Sequence, residues 1–282
     1  MGYGDYLMLS GKVRVLKQTM PNEQICCPTL EDRFYFESVF FNNQNIVRSE
    51  NIDNSKRLLE LGQLSLGIRK EEAGFIDWNV SAPPIRGDIY FTKDELNIAE
   101  NFISDAKLGF KAKHKTDPLK IIFLSPYTTI KKIVNGKLIN YAYSENREWR
   151  EDHWQELILT LMDKVIFVST VSKENEDRPR LPYVDYLYSD FRIAAAVLKY
   201  SDIYVGIEGG LHHAAAALKK PGIVIFGHWI SPMVSGYSYH TNFYDKNIEK
   251  GCGSLTVCQK CLEYMKNLSA KKVLEALSEF IK

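Results

Sequence analysis

Between residues 202 and 226 the chain passes through an apolar run, a Glu-Gly-Gly turn and an alanine-rich stretch headed by two histidines. A Pro-Gly break and a second apolar run follow. Uninterrupted apolar runs of strand length suit strands buried on both faces, which are the strands of parallel sheets. Joining two of them through a helix-length segment gives a βαβ unit, with helices packed on the sheet. The same alternation predicts strands at 119–125 and 164–169, and helices at 151–162, 191–200, 211–219 and 269–281. The fold class is α/β.

The first half carries a similar but weaker alternation. Leu9, Val13 and Leu16 share one face of an expected helix over 7–19, stopped by Pro21. A short strand is expected at 23–27. Leu58, Leu61 and Leu64 suggest a helix over 54–66, weakened by Gly62. Thr92 with Glu95 has capping-box spacing and opens a helix expected to run to about residue 108. Lys111 to Pro118 is polar and basic and reads as a linker, dividing domains at 1–115 and 116–282. Its lysines read as a solvated connector in preference to an anion-binding patch.

Thirty-six Lys and Arg against 35 Asp and Glu leave a formal charge of +1. That balance argues against nucleic acid as a partner. Apolar stretches such as Ile193 to Leu198 fall far short of the ~18 residues that suggest a membrane span. No basic segment precedes an apolar run at the start, so no secretory signal is expected. Five cysteines are too few for a disulfide framework and fit a reducing compartment.

Chemistry is expected where the apolar run 202–207 ends. Ligands of open parallel sheets sit beyond the carboxyl ends of the strands. Glycines there let the backbone approach a ligand, and the free N–H groups of the next helix suit a diphosphate. In that reading Glu208 accepts from sugar hydroxyls, Gly209 and Gly210 form the cradle, and His213 donates to a phosphate oxygen. A plain tight turn with ordinary helical histidines is the weaker alternative.

These residues resemble the C-terminal motif of glycosyltransferase family 9, the group that contains the ADP-heptose:lipopolysaccharide heptosyltransferases. Glu208 stands where that motif has Asp, Gly209 where it has Ser or Thr, and Gly210 and His213 match directly. Met1 to Leu7 resembles the family's N-terminal Gly-Asp loop, continued by Arg14 to Lys17 and Pro21. Arg147-Glu148-Trp149 resembles its Lys-x-Trp motif, with arginine for lysine. Phe226-Gly227, Ser231-Pro232 and Gly236-Tyr237 resemble the segment after the last core strand.

The resemblance implies a GT-B fold, two Rossmann-like domains facing across a cleft, with the acceptor on the first and a nucleotide-sugar donor on the second. The family's first strand is missing before Gly4, is supplied by another segment, or lies upstream of Met1. The implied activity is inverting sugar transfer without a cofactor or metal, in lipopolysaccharide or other cell-surface glycan synthesis. Its partners would be a nucleotide-diphosphate sugar and a glycan or glycolipid acceptor. The place would be the cytoplasm, with at most peripheral contact with the membrane. Asp5 is the expected base, with Glu208 or a cleft histidine next. Arg147, Glu208, Gly209, Gly210 and His213 are the expected donor contacts, and Gly4, Tyr127, Lys131, His212 and Tyr237 are further candidates for donor or acceptor. An epimerase or hydrolase of nucleotide-sugars, or a binding protein without turnover, are the alternatives.

Two features stand apart from that scheme. Lys131 to Ile139 reads as a hairpin with an Asn135-Gly136 type I′ turn, either overhanging the cleft or decorating the surface. Cys252, Cys258 and Cys261 have the spacing of a partial metal site, which His240 or Cys26 and Cys27 would have to complete; three reduced thiols are the preferred reading. Of the tyrosines at 183, 186, 188, 237, 239 and 244, only Tyr237 and Tyr239 are expected near a cleft.

Overall fold

The computed structural model describes residues 2–28, 37–62, 66–128, 131–134, 137–140 and 142–281. Helix α1 (Tyr3–Thr19) opens the chain and leads to β1 (Gln24–Cys26), which pairs in parallel with β2 (Leu58–Glu60). An antiparallel hairpin of β3 (Arg69–Glu72) and β4 (Phe75–Trp78) follows, then the long helix α2 (Lys93–His114). In the second half come β5 (Ile121–Ser125), the hairpin β6 (Lys131–Val134) and β7 (Lys137–Asn140), α3 (Glu151–Leu161) and β8 (Ile166–Val171). After them run β9 (Val184–Tyr188), α4 (Phe191–Tyr200), β10 (Ile203–Ile207), α5 (Gly210–Ala217) and β11 (Gly222–Gly227). The chain closes with α6 (Pro232–Ser235), β12 (Thr241–Tyr244), α7 (Gln259–Asn267) and α8 (Ala270–Ser278).

Six strands form one parallel sheet in the order β12-β11-β10-β5-β8-β9. Counted along the chain this is the doubly wound order, in which the path reverses direction between β5 and β10. The carboxyl ends of those two strands diverge into a crevice, and it is there that Glu208 follows β10. Both strands are almost wholly buried, as their apolar runs require. The edge strands β9 and β12 are half-exposed. In the first half the described strands form only the two short pairs.

The halves share a core. A continuous cluster joins Leu7 and Leu9 of α1 and Ala99 and Ile103 of α2 to Tyr204, Ala214 and Phe226. Helix α1 packs on α5, and α2 on α4. Arg192, at the start of α4, is buried; it makes a bidentate pair with Glu95 and donates to the carbonyls of Ser38 and Tyr90.

Three expectations are corrected. The described residues of 54–66 form no α-helix: an Asx turn at Asp53 and Ser55 leads into β2, and Gln24 pins Asp53 by two side-chain hydrogen bonds. Pairing with β1 outweighs the leucine spacing; Leu64 lies outside the described residues. Helix α2 has the expected capping box on Thr92 but runs on to His114, stopped by Lys115 in the left-handed region. Lys111 to His114 are therefore its last turn and no linker. Strands β9 and β12 and helix α7 had no clear signal in the sequence. The hairpin 131–140 is present, its Asn135-Gly136 turn lying outside the described residues.

Candidate functional site

A cleft of about 1440 Å³ opens at the crevice between β5 and β10. Gly209, the residue before α5, is extended and faces open space: a Cβ there would meet nothing within 4 Å. Gly210 and Gly4 bring the first turns of α5 and α1 together. A Cβ on Gly4 would lie 2.5 Å from His213 Cδ2, and one on Gly210 3.2 Å from Tyr3 Cβ. Two helix N-termini thus converge on one cleft wall, concentrating free N–H groups and positive dipole ends.

Behind this wall lies a charged lattice. Arg147 Nη2 donates to Glu208 Oε2 at 2.5 Å and to the Glu208 carbonyl at 2.9 Å. Its guanidinium sits 4.7 Å from the centre of the Trp229 ring. Glu208 Oε1 accepts from Ser235 Oγ at 3.3 Å and lies 3.7 Å from His213 Nε2. Both ionised residues are only 9 % exposed. Burial alone would raise the Glu208 carboxyl, but the Arg147 charge, helped by the His213 N–H, outweighs it and holds it well below the usual carboxylate range. Glu208 is thus ionised and engaged with Arg147, Ser235 and His213 while also lining the cleft.

His213 Nδ1 and the Tyr237 hydroxyl share a 2.8 Å hydrogen bond. Burial pushes the Tyr237 hydroxyl far up, so it stays protonated and can donate to Nδ1. That sets the tautomer with the proton on Nε2, aimed at Glu208 and the cleft. His212 is fully buried with neither ring nitrogen partnered. Burial pushes it well below the ordinary histidine value, so it is neutral.

Next to Gly4, Asp5 stands in the first turn of α1. Its Oδ2 accepts from the Gly2 N–H at 3.1 Å and from Arg69 Nη2 at 3.3 Å. Helix α1 starts at Tyr3, so Gly4 and Asp5 are helical and not in a loop ahead of it. Behind Thr128 and Arg178, which line the cleft, the half-buried Glu148 accepts from Thr128 N–H and Oγ1 and from Arg178 Nη2. Burial raises its carboxyl despite the Arg178 charge.

Over 142 residues the chain is 30% identical to lipopolysaccharide heptosyltransferase 1 of Escherichia coli strain K12, a match covering 48% of this chain and 40% of that protein. The protein of the same name from Escherichia coli O18:K1:H7 is 32% identical over 101 residues, covering 33% of this chain and 31% of that one. The chain thus matches less than half the length of these curated relatives. No family model matches. Among solved structures, the glycosyl transferase family 9 protein of Veillonella parvula superposes with a TM-score of 0.60 at 11% identity, covering 100% of this chain and 95% of that one. The chain is glycosyltransferase family 9-like. Its fold is the GT-B-like α/β fold of that structure.

In this family 9-like chain Gly4, Asp5, Tyr127, Arg147, Glu208, Gly209, Gly210 and His213 all line the one cleft. Tyr127 lies under Arg178, and burial pushes its hydroxyl up to about 12. His212 and Tyr237 do not line it: a residue next to His213 points about 100° around the helix, and Tyr237 stands behind the His213 ring. The side chain of Lys131 lies outside the described residues. Sequence reading missed Ser235, Trp229, Arg69 and Arg178, since nothing in their spacing signals that they converge. Ligand atoms of Glu208, His212 and His213 fall within 4.8 Å of one another, but the Arg147 charge on Glu208 opposes a cation there. Cys252, Cys258 and Cys261 form a second such group, and neither His240, Cys26 nor Cys27 belongs to it.

Proposed function

We propose that the chain is an inverting glycosyltransferase that moves a heptose or related sugar from a nucleotide-diphosphate donor to a hydroxyl of a glycan or glycolipid acceptor, in lipopolysaccharide or similar cell-surface glycan synthesis. The observation that carries this reading is the convergence of the α1 and α5 N-termini, with His213 and Arg147, on a cleft that Asp5 also lines. The Gly209 and Gly210 amides and His213 Nε2–H hold the diphosphate, and the Arg147 guanidinium, fixed through Nη2 on Glu208, adds its charge. These groups stabilise the departing nucleoside diphosphate as the sugar–oxygen bond breaks. On the opposite face the acceptor hydroxyl forms the new bond, and Asp5 takes its proton. No metal is required by this scheme. The donor side is 116–282 and the acceptor side 1–115, and the protein works in the cytoplasm; no described helix is long and apolar enough to cross a membrane.

The test is calorimetry with a panel of nucleoside diphosphates, followed by nucleotide release from the matching nucleotide-sugars with and without a glycolipid acceptor. Release that requires the acceptor and yields a glycosylated product supports transfer. Release of free sugar without acceptor would mark a hydrolase, and no diphosphate binding would remove the reading.

A further inference from the structure

Cys252, Cys258 and Cys261 lie within ten residues of chain and close in space. Cys252 sits on the strap after β12, Cys258 caps α7 and Cys261 lies in its first turn. Their three sulfurs lie within 4.8 Å of one another, and Cys252 Sγ and Cys261 Sγ are 3.2 Å apart. Thiolates bound tetrahedrally at about 2.3 Å from one metal stand about 3.8 Å apart. A cluster whose sulfurs all lie within 4.8 Å of one another is of that size. Three sulfurs around one point suit a shared ion better than a disulfide, which would use two and leave the third.

The surroundings are built in the same sense. Gly251 and Gly253 flank Cys252 with φ of 104° and 61°, a knuckle that side chains rarely allow. A Cβ on Gly253 would fall 1.9 Å from the Ile76 carbonyl oxygen. Asn146 fixes the other arm: its Oδ1 accepts from Cys258 N–H at 2.8 Å while its Nδ2 donates to the Thr256 carbonyl at 2.7 Å. Cys261 is buried, and Cys252 and Cys258 are part-exposed, which gives an ion an entry path.

We propose that Cys252, Cys258 and Cys261 form a three-thiolate site for a borderline-soft divalent transition metal, zinc or iron(II), with its fourth position open to solvent water. On binding, each thiol gives its proton to the medium and its sulfur to the metal. The ion staples the strap to α7. The strap's Gly253 N–H and Ser254 carbonyl hold the Trp229 backbone and indole, so the staple steadies the ring beneath Arg147. The site does not depend on the glycosyl-transfer reading.

The experiment is cobalt(II) titration of the full chain, stripped with chelator and kept reduced, with metal analysis of the untreated protein. Expected are one ion per chain, zinc or iron as the analysis identifies, and a thiolate-to-cobalt charge-transfer band that zinc abolishes. Cys258→Ser, at a half-exposed position, should lose the band and the metal-dependent rise in Tm, while Cys26→Ser should keep both. Cys252→Ser gives a second reading at a part-exposed ligand. A wild-type chain whose three thiols all titrate as free in the presence of cobalt overturns the proposal, as does a band that survives Cys258→Ser.

Discussion

Asp5 and His213 face one cleft from two helices, and each can be tested with a side chain that leaves the fold standing. Asn at position 5 keeps an acceptor for the Gly2 N–H, so the helix start survives. Asp5→Asn should cut kcat by about 10²–10⁴ with donor affinity and Tm near wild type; an active variant in steady-state assays removes Asp5 as the base. His213→Ala deletes the donor that Tyr237 and Glu208 position, and should weaken nucleotide-diphosphate binding by about 1.5–3 kcal/mol in calorimetry. Gly209 is open on its cleft side. Gly209→Ser should therefore fold normally and tighten donor binding, by about 0.5–1.5 kcal/mol for a hydrogen bond; a fall in Tm would show that the glycine is there for the backbone.

At the scale of elements, the site depends on how closely α1 meets α5. Gly4 is the point of contact, and a methyl there would overlap the His213 ring. Gly4→Ala should destabilise the fold by about 1–3 kcal/mol, the range for overpacking, and should lower donor affinity along with it because the ring must move. Denaturant titration and calorimetry on the same variant check both. Unchanged affinity would mean that α1 retreats and His213 stays.

Across the whole molecule, Arg192 holds α4 against α2 and the segment at Ser38. Arg192→Met leaves Glu95 with only the Thr92 N–H and strips the Ser38 and Tyr90 carbonyls of their donor, and about 1–3 kcal/mol of stability should be lost in urea denaturation. Acid should weaken the same core. Burial pushes His240 down to about 4, and His212 lies well below its ordinary value. The unfolded chain takes up protons below about pH 6.5 that the folded chain refuses, so stability falls with pH between about 6.5 and 4. Each histidine contributes up to about 1.4 kcal/mol per pH unit. The depressed Glu208 adds to the loss only below the usual carboxylate value, where the unfolded state gains a proton first. Urea midpoints at pH 7 and 5.5 should differ, and His240→Gln should reduce the difference.

The sequence by itself determined the parallel sheet of the second half and the turn at Glu208. Strands buried on both faces need continuous apolar runs, and a helix after a glycine turn needs only local capping and small residues. Those requirements are written along the chain, as are the Thr92 capping box and the helix at α4. The half-exposed edges β9 and β12 bury too little to leave such a pattern, and β2 owes its form to β1, which lies far away in sequence. Only the tertiary structure decided that Glu208 is held by Arg147 over Trp229 and that His213 meets Gly4. Charge pairing and ring packing act over a few ångströms in space, and residue spacing carries no record of distances that the fold alone brings about.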